Sequence, residues 1–221
     1  MTYSDSAEPS PPASPPSQPS PSPASRPKVA RGGKRERLAA AAAQVLHEQG
    51  VEKTTIADIA RAADVPLGNV YYYFKTKDQL VEAAIDAHAQ HLAGLISALD
   101  ALPTPQDRLK ALLAGWIDQR ELTARHGCPT GSLASELDKR DDGLDQTLAT
   151  VMRVLLDWAE QQFRALGRTS DARELAVALI ASYQGISLLT NTFRDPEMMA
   201  TEGRRLERWI DSLADQGLSV G

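Results

Sequence analysis

Apolar residues recur along most of the chain at the three- and four-residue spacing of amphipathic helices. In the first such segment Leu38, Ala42, Val45 and Leu46 fall on one face, and Gly50 is placed to end the helix. Beyond residue 76 the same period predicts helices over about 77–99, 105–125, 132–139, 144–166, 171–193 and 197–215, separated by Pro, Gly and Asp. No segment alternates with period two over the length of a strand. The sequence therefore predicts an all-α fold.

Between residues 54 and 77 the pattern predicts two short helices joined by a tight turn. Thr54 or Thr55 can cap the first helix, and Pro66 suits the first position of the second. Val70 and Phe74 form the inward-facing pair of the second helix, which leaves its polar and aromatic residues outside. This is the arrangement of a helix-turn-helix, whose second helix enters the major groove of DNA.

The charge of the chain is distributed unevenly. The total is −5, but residues 26–77 carry +5 and residues 78–221 carry −8. A basic module is thus joined to an acidic one, which favours a polyanionic partner for one part only. Residues 1–27 hold nine of the fourteen prolines together with eight serines, and we expect this segment to be a disordered tail.

Side chains on and beside the second short helix suit contact with DNA. Asn69 can donate to and accept from a base edge, and Gly68 lets the backbone come close to the groove. Tyrosine hydroxyls and nearby basic residues can bind phosphates. Alternatively, the aromatic run is a packed corner and the basic run from Arg31 to Arg37 is a solvated helix start. The candidate DNA-binding residues are Thr55, Gly68, Asn69, Tyr71, Tyr72, Tyr73, Lys77, Arg31 and Lys34.

Two stretches, TIADIARAADV (55–65) and GNVYYYFKTKDQL (68–80), resemble the N-terminal domain of the TetR family of transcriptional repressors, over about residues 34–81. The family usually has Gly and Ser where this chain has Asp64 and Pro66, and often His at Tyr73. The resemblance implies a homodimer with a ligand-responsive C-terminal helical domain, normally repressing genes near its own. It also implies phosphate contacts by Thr55 and Lys77, recognition-helix contacts by Gly68, Asn69 and Tyr71, and contacts of Tyr72 and Tyr73 with backbone and groove.

These observations divide the chain into three parts. Residues 1–27 form the tail, residues 28–80 form a three-helix DNA-binding domain of helix-turn-helix type, and residues 81–217 form a larger helical domain for ligand sensing and dimerisation. The role of the third part rests largely on the resemblance. The resemblance does not identify the ligand.

The last two predicted helices each carry an apolar stripe that can serve for association or for the core of the same chain. In the first of them the apolar positions recur at spacings of 4, 3, 4, 3 and 4, with small residues alongside. The resemblance favours association, because the last two long helices of TetR-like proteins pair with their mates as a four-helix bundle. The candidate interface residues are Leu175, Leu179, Ser182, Ile186, Leu189, Phe193, Leu206, Trp209, Ile210 and Leu213.

An effector would then bind among the helices of residues 77–170. An apolar stripe at helical spacing is more often core than pocket lining, and the candidate ligand-binding residues are Trp116, Met152, Trp158, Tyr183 and Asn191. The single cysteine, Cys128, lies in a Gly- and Pro-rich segment that resembles one found in a TetR subgroup. It is either a redox or electrophile sensor or a small buried apolar residue.

Several other functions find little support in the sequence. His88 and His91 could share a metal, but no carboxylate or thiolate completes a site, so we expect neither metal nor cofactor. We expect no enzyme, because catalytic motifs are missing, and a cytoplasmic protein without a membrane partner, because no apolar run approaches the roughly twenty residues of a membrane span. The predicted partners are double-stranded operator DNA, a small-molecule effector and a second copy of the chain. A thiol-sensing repressor, an activator, and an interaction protein that no longer binds DNA stay open as alternatives.

Overall fold

The computed structural model describes residues 33–218, with side chains as far as residue 215. Within that range the chain is helical and contains no strand. The helices are α1 (Lys34–Gln49), α2 (Ile56–Ala62), α3 (Leu67–Tyr73), α4 (Lys77–Asp100), α5 (Pro105–Asp118), α6 (Arg120–His126), α7 (Pro129–Leu137), α8 (Leu144–Ala165), α9 (Ala172–Phe193) and α10 (Pro196–Leu218). The all-α prediction is confirmed. The predicted tail and Arg31 lie outside the described residues.

The first hydrophobic core joins the N-terminal helices to the body of the protein. It contains fully buried residues of α1, α2, α3 and α4, among them Leu38, Ile59, Val70 and Leu80. The same core also takes in Leu137 of α7 and neighbouring apolar residues of α7 and α8. The first core therefore continues from the helix-turn-helix through α1 and α4 to α7 and α8.

The second core lies farther from the helix-turn-helix. It is built from the end of α4 and from α5, α8, α9 and α10, and its fully buried members include Leu109, Phe163 and Ile210. Trp158 also lies in this core, where its indole Nε1 donates to Asp100 Oδ1 over 2.9 Å. That bond satisfies the one polar atom of a side chain that is only 4% exposed.

Local sequence explains where the short helices begin and end. Thr55 caps α2, because its hydroxyl accepts from the Asp58 amide (3.2 Å) while Asp58 accepts in return from the Thr55 amide (3.0 Å). Gly50, with φ +81°, ends α1. In the turn after α2, Asp64 has φ +52°, a left-handed conformation that Asp tolerates better than most residues.

The structure departs from the sequence prediction in two helices. The helix predicted over 105–125 is divided at Gln119, where ψ is 6°, into α5 and α6. The helix predicted to begin at Ser132 begins at Pro129 instead, because Cys128 takes the N-cap position and Pro129 fits the first turn.

Helix α9 differs from the expectation that no segment is long and apolar enough to span a membrane. Among the described residues, α9 is long and apolar enough to cross a membrane by length and composition alone. The core helix of a soluble protein passes the same test, and α9 contributes Leu179 and Ala176 to the second core.

Candidate functional site

The turn between α2 and α3 holds the two helices in a fixed relation. The Val65 amide donates to the Ala60 carbonyl over 3.0 Å, and the Asn69 amide donates to the Pro66 carbonyl over 2.8 Å. Pro66 occupies the N-cap of α3, one residue before the position expected for it. On the inner side of α3, Val70 and Phe74 are buried in the first core, as their spacing predicted.

The outer side of α3 is exposed in the described part of the chain. Tyr72 is 79% exposed and Tyr71 is 45% exposed, and Leu67 beside them is also exposed. At Gly68 an added Cβ would find no atom within 4 Å among the described residues, so the fold itself does not require glycine there. Asn69 is half-buried at the edge of this surface.

Tyr73 faces differently from its two neighbours. It is half-buried against the first core, and its ring meets that of Tyr72 edge-on with a centroid distance of 4.9 Å. The Arg35 guanidinium lies 5.4 Å from the centre of the Phe74 ring. The aromatic run is thus in part a packed corner, and Tyr71 and Tyr72 are its two exposed members.

The polar residues predicted to bind phosphates lie around α3, and they differ in the hydrogen bonds that they already make. Lys34 is exposed at the start of α1, and the Lys77 ammonium donates to the Glu52 carbonyl over 3.2 Å, which leaves it two further donors. The Thr55 hydroxyl already donates to Asp58 over 2.5 Å. These bonds from Thr55, with Arg61 adding a smaller effect, hold the pKa of Asp58 below its ordinary value. A phosphate contact by the Thr55 hydroxyl must therefore compete with the cap.

A cavity of about 140 Å³ that opens to solvent lies among α4, α5, α7, α8 and α9, and it is named the main cavity because most of the candidate ligand-binding residues line it. Three of the candidate ligand-binding residues, Trp116, Met152 and Tyr183, line it. The rings of Trp116 and Tyr183 are stacked, with centroids 4.1 Å apart and planes at 18°. The other two candidates lie elsewhere, since Trp158 belongs to the second core and Asn191 lines a neighbouring cavity, where its amide donates to the Ala124 carbonyl over 3.2 Å.

Sequence reasoning did not assign five polar residues that also line the main cavity, His88, His91, Gln119, Thr130 and Gln184. Burial, with smaller repulsion from His47 and His91, lowers the pKa of His88 below 6.5. Burial and the neighbouring Cys128 raise the pKa of Tyr183 well above its ordinary value. In the sequence His88 and His91 stand out only as a possible metal pair, and helical periodicity does not mark polar residues as cavity lining.

Cys128 is buried, with 5% of its surface exposed, and lines both cavities. Its Sγ accepts from the Gly131 amide over 3.4 Å, so the thiol acts as the cap of α7. This placement matches the interpretation of Cys128 as a small buried residue, and the cap gives that residue a structural role.

Helix α7 bridges the cavity and the helix-turn-helix. Just before α7, the Gly127 carbonyl accepts from His47 Nε2 of α1 over 2.9 Å. Near its end, Glu136 Oε2 accepts from the buried Val51 amide, directly after α1, over 2.6 Å. Gly50 presses against the same carboxylate, because a Cβ there would lie 2.9 Å from Glu136 Oε1.

The ten candidate interface residues differ in how far they are buried in their own chain. Leu179, Leu206, Ile210 and Leu213 are buried in the second core of their own chain, with exposures of 5% or less, so they are not available to a second copy. Leu175 and Trp209 are partly buried against the same core. Ser182 and Ile186 are half-buried, and only Leu189 and Phe193 among the ten are well exposed.

The exposed apolar face of α9 therefore differs from the predicted seam. Val177 and Leu188, which the seam omitted, are 46% and 66% exposed, and Leu189 and Phe193 are 43% and 63% exposed. Of the predicted stripe on α9, Leu175 and Leu179 pack against the second core of the same chain.

Comparison with known proteins agrees with this architecture. Residues 38–84 match the family model for bacterial regulatory proteins of the tetR family, and residues 105–206 match a tetracyclin repressor-like C-terminal domain. The chain belongs to the TetR family. An HTH-type transcriptional regulator of Mycobacterium tuberculosis is 31% identical over 171 residues, which cover 74% of this chain and 87% of the relative.

Other relatives extend the match over nearly their whole length. A Lactococcus lactis HTH-type transcriptional regulator is 30% identical over 190 residues, covering 82% of this chain and 95% of that protein. The solved structure of regulatory protein TetR from Rhodobacter sphaeroides superposes with a TM-score of 0.70 at 25% identity, covering 79% of this chain and 97% of that one. This TetR-family protein is thus a DNA-binding transcriptional regulator, from a family of regulators and not of enzymes.

Proposed function

We propose that this TetR-family protein is a dimeric repressor that binds a near-palindromic operator in the cytoplasm and releases it when a small molecule occupies the main cavity. The exposed side of α3 carries the proposal. Leu67, Tyr71 and Tyr72 are exposed, and the described chain leaves open space at Gly68, so these residues share one surface on the helix that a helix-turn-helix inserts into the major groove.

The exposed face of α9 supports the dimer. Val177, Leu188, Leu189 and Phe193 are large apolar side chains that lie on one helix with 43% or more of their surface exposed. Exposed apolar residues grouped in this way are typical of protein interfaces. A second copy docked there by twofold symmetry supplies the second α3 that two operator half-sites require.

The contacts of α7 provide a route from the cavity to DNA. Cys128, Pro129 and Thr130 at the start of α7 line the cavity, whereas Glu136 near its end binds the backbone beside α1. A ligand that shifts α7 therefore acts on both its cavity end and its bond to the DNA-binding helices. Such a ligand weakens DNA binding only as far as it binds the released conformation better than the DNA-bound one.

The test of DNA binding begins with selection of bound sequences from a pool of random duplexes. Affinity for the selected duplex is then measured by fluorescence anisotropy over a salt series. With six or more phosphate contacts, affinity should fall by about 1,000-fold or more between 50 and 200 mM salt. A flat salt dependence contradicts the electrostatic part of the proposal.

A matched pair of lysine variants assigns the salt dependence to the DNA-binding surface. Lys77→Gln should reduce the slope of log affinity against log salt by about one for each chain of the dimer. Lys110→Gln removes the same charge from α5, where Lys110 pairs with Asp211 over 2.9 Å, and should leave the slope unchanged. Equal slopes for the two variants would mean that Lys77 does not bind phosphate.

A further inference from the structure

We infer that the main cavity takes an uncharged, largely aromatic molecule with one or two hydrogen-bonding groups. The inference rests on the proposed function, in which this cavity is the effector site, and it names the chemical class of the effector.

The wall of the cavity is apolar and includes a rigid aromatic surface. Leu92, Leu155 and Ile180 line it together with the stacked pair Trp116 and Tyr183. Two rings 4.1 Å apart and nearly parallel hold each other in place. A planar ligand can pack on such a surface with little loss of side-chain freedom, because the rings are already fixed.

The lining carries no permanent charge. None of the described residues that line the cavity is Asp, Glu, Lys or Arg. Burial lowers the pKa of His88 from its ordinary value, which favours the neutral ring, and raises the pKa of Tyr183, which keeps its hydroxyl protonated. A charged ligand would therefore lose its hydration without gaining an ionic partner, which is strongly unfavourable.

Two lining amides have hydrogen-bonding capacity to spare. Gln119, which is exposed, and Gln184, which is half-buried, both line the cavity, and among the described residues neither side-chain amide is bonded to a protein group. Each can donate and accept. A ligand hydroxyl, carbonyl or amide can bond to them in place of water, which favours a ligand that is apolar in body and carries a polar group.

Three probes of one shape and different charge test the inference. Isothermal titration calorimetry of the full chain at pH 7.5 would use 2-naphthol, which is neutral, 2-naphthoate, which is anionic, and 2-naphthylmethylammonium, which is cationic. We expect 2-naphthol to bind with Kd of about 0.1 mM and each charged probe to bind at least about 100-fold more weakly. The inference is overturned if a charged probe binds with a Kd within about tenfold of that of 2-naphthol. It is also overturned if no probe binds at 1 mM, which is about ten times the expected Kd.

An isosteric charge change locates the binding in this cavity. Gln184→Glu places a carboxylate in the lining and should strengthen binding of 2-naphthylmethylammonium by about tenfold or more while weakening that of 2-naphthol. The control Gln161→Glu makes the same change on the exposed side of α8 and should alter neither affinity. Circular dichroism confirms folding, and Gln119→Glu replaces Gln184→Glu if the latter is unfolded. Identical responses of the lining variant and the control contradict the location.

Measurement of DNA affinity on the same samples separates this inference from the proposed function. If 2-naphthol binds as expected but DNA affinity is unchanged, the ligand class stands and the proposed release is wrong. If DNA binds with steep salt dependence but the probes show no preference for the neutral form, the regulator stands and the ligand class is wrong.

Discussion

Replacing Gly68 with alanine separates what the fold requires from what DNA recognition requires. Gly68 lies in the first turn of α3 without a positive φ, and an added Cβ would meet no atom within 4 Å in the described chain. Alanine therefore fits without strain. Because glycine loses more conformational freedom on folding, Gly68→Ala should stabilise the protein by about 0.5–1 kcal/mol.

The same methyl group should weaken DNA binding. In the proposed complex the outer side of α3 lies against the groove, and glycine lets the backbone come close to the bases. Forcing a methyl group into a close contact costs about 1–3 kcal/mol, which corresponds to a loss of affinity of about 5- to 150-fold for each half-site. Stability and DNA affinity should thus change in opposite directions.

Urea unfolding and fluorescence anisotropy with the selected duplex measure the two effects. Gly94→Ala is the matched control, since a Cβ at Gly94 on α4 also points into open space. It should gain stability and keep its DNA affinity. If Gly68→Ala is stabilised and binds DNA as tightly as the unchanged protein, α3 does not approach the groove at Gly68. If it is destabilised, the description of that site as open is wrong.

Three further predictions concern the dimer, the α7 bridge and pH. Leu188→Glu should convert the dimer to a helical monomer whose DNA affinity is at least about 100-fold lower. Sedimentation measures the oligomeric state and anisotropy the affinity, and a variant that stays dimeric would place the interface elsewhere. Glu136→Ala removes the acceptor of the Val51 amide, so the free energy of unfolding should fall by about 1–3 kcal/mol. Hydrogen exchange of the Val51 amide should become faster, and an unchanged exchange rate would contradict the α7 bridge. Burial lowers the pKa of His47 and of His88, so urea unfolding midpoints should be constant above about pH 6.5 and fall below it as the unfolded state takes up more protons. A midpoint that rises as the pH falls would refute that prediction.

The helices and the helix-turn-helix could be predicted because they depend on local patterns. Helical spacing fixed the inward positions of Val70 and Phe74, and the Thr55 cap follows from residue type and position alone. The division at Gln119 could not be predicted, because neither Gly nor Pro marks it and the α5 and α6 segments share one apolar period.

The cavity and the bridge depend on contacts between residues far apart in the chain. Glu136 lies 85 residues from Val51, and nothing in its neighbourhood distinguishes it from a solvated acid. The interface prediction failed in part for a related reason. Periodicity identifies an apolar face of α10, but only packing shows that Leu206 and Ile210 are covered by the second core of the same chain.

Hydroxyl-radical footprinting on the selected duplex tests the central claim most directly, because it shows where two α3 helices lie on DNA. A dimer that places them in successive major grooves should protect two half-sites on one face of the duplex, with centres about 10 base pairs apart. Protection of one isolated half-site, or uniform protection without a defined spacing, would contradict the account.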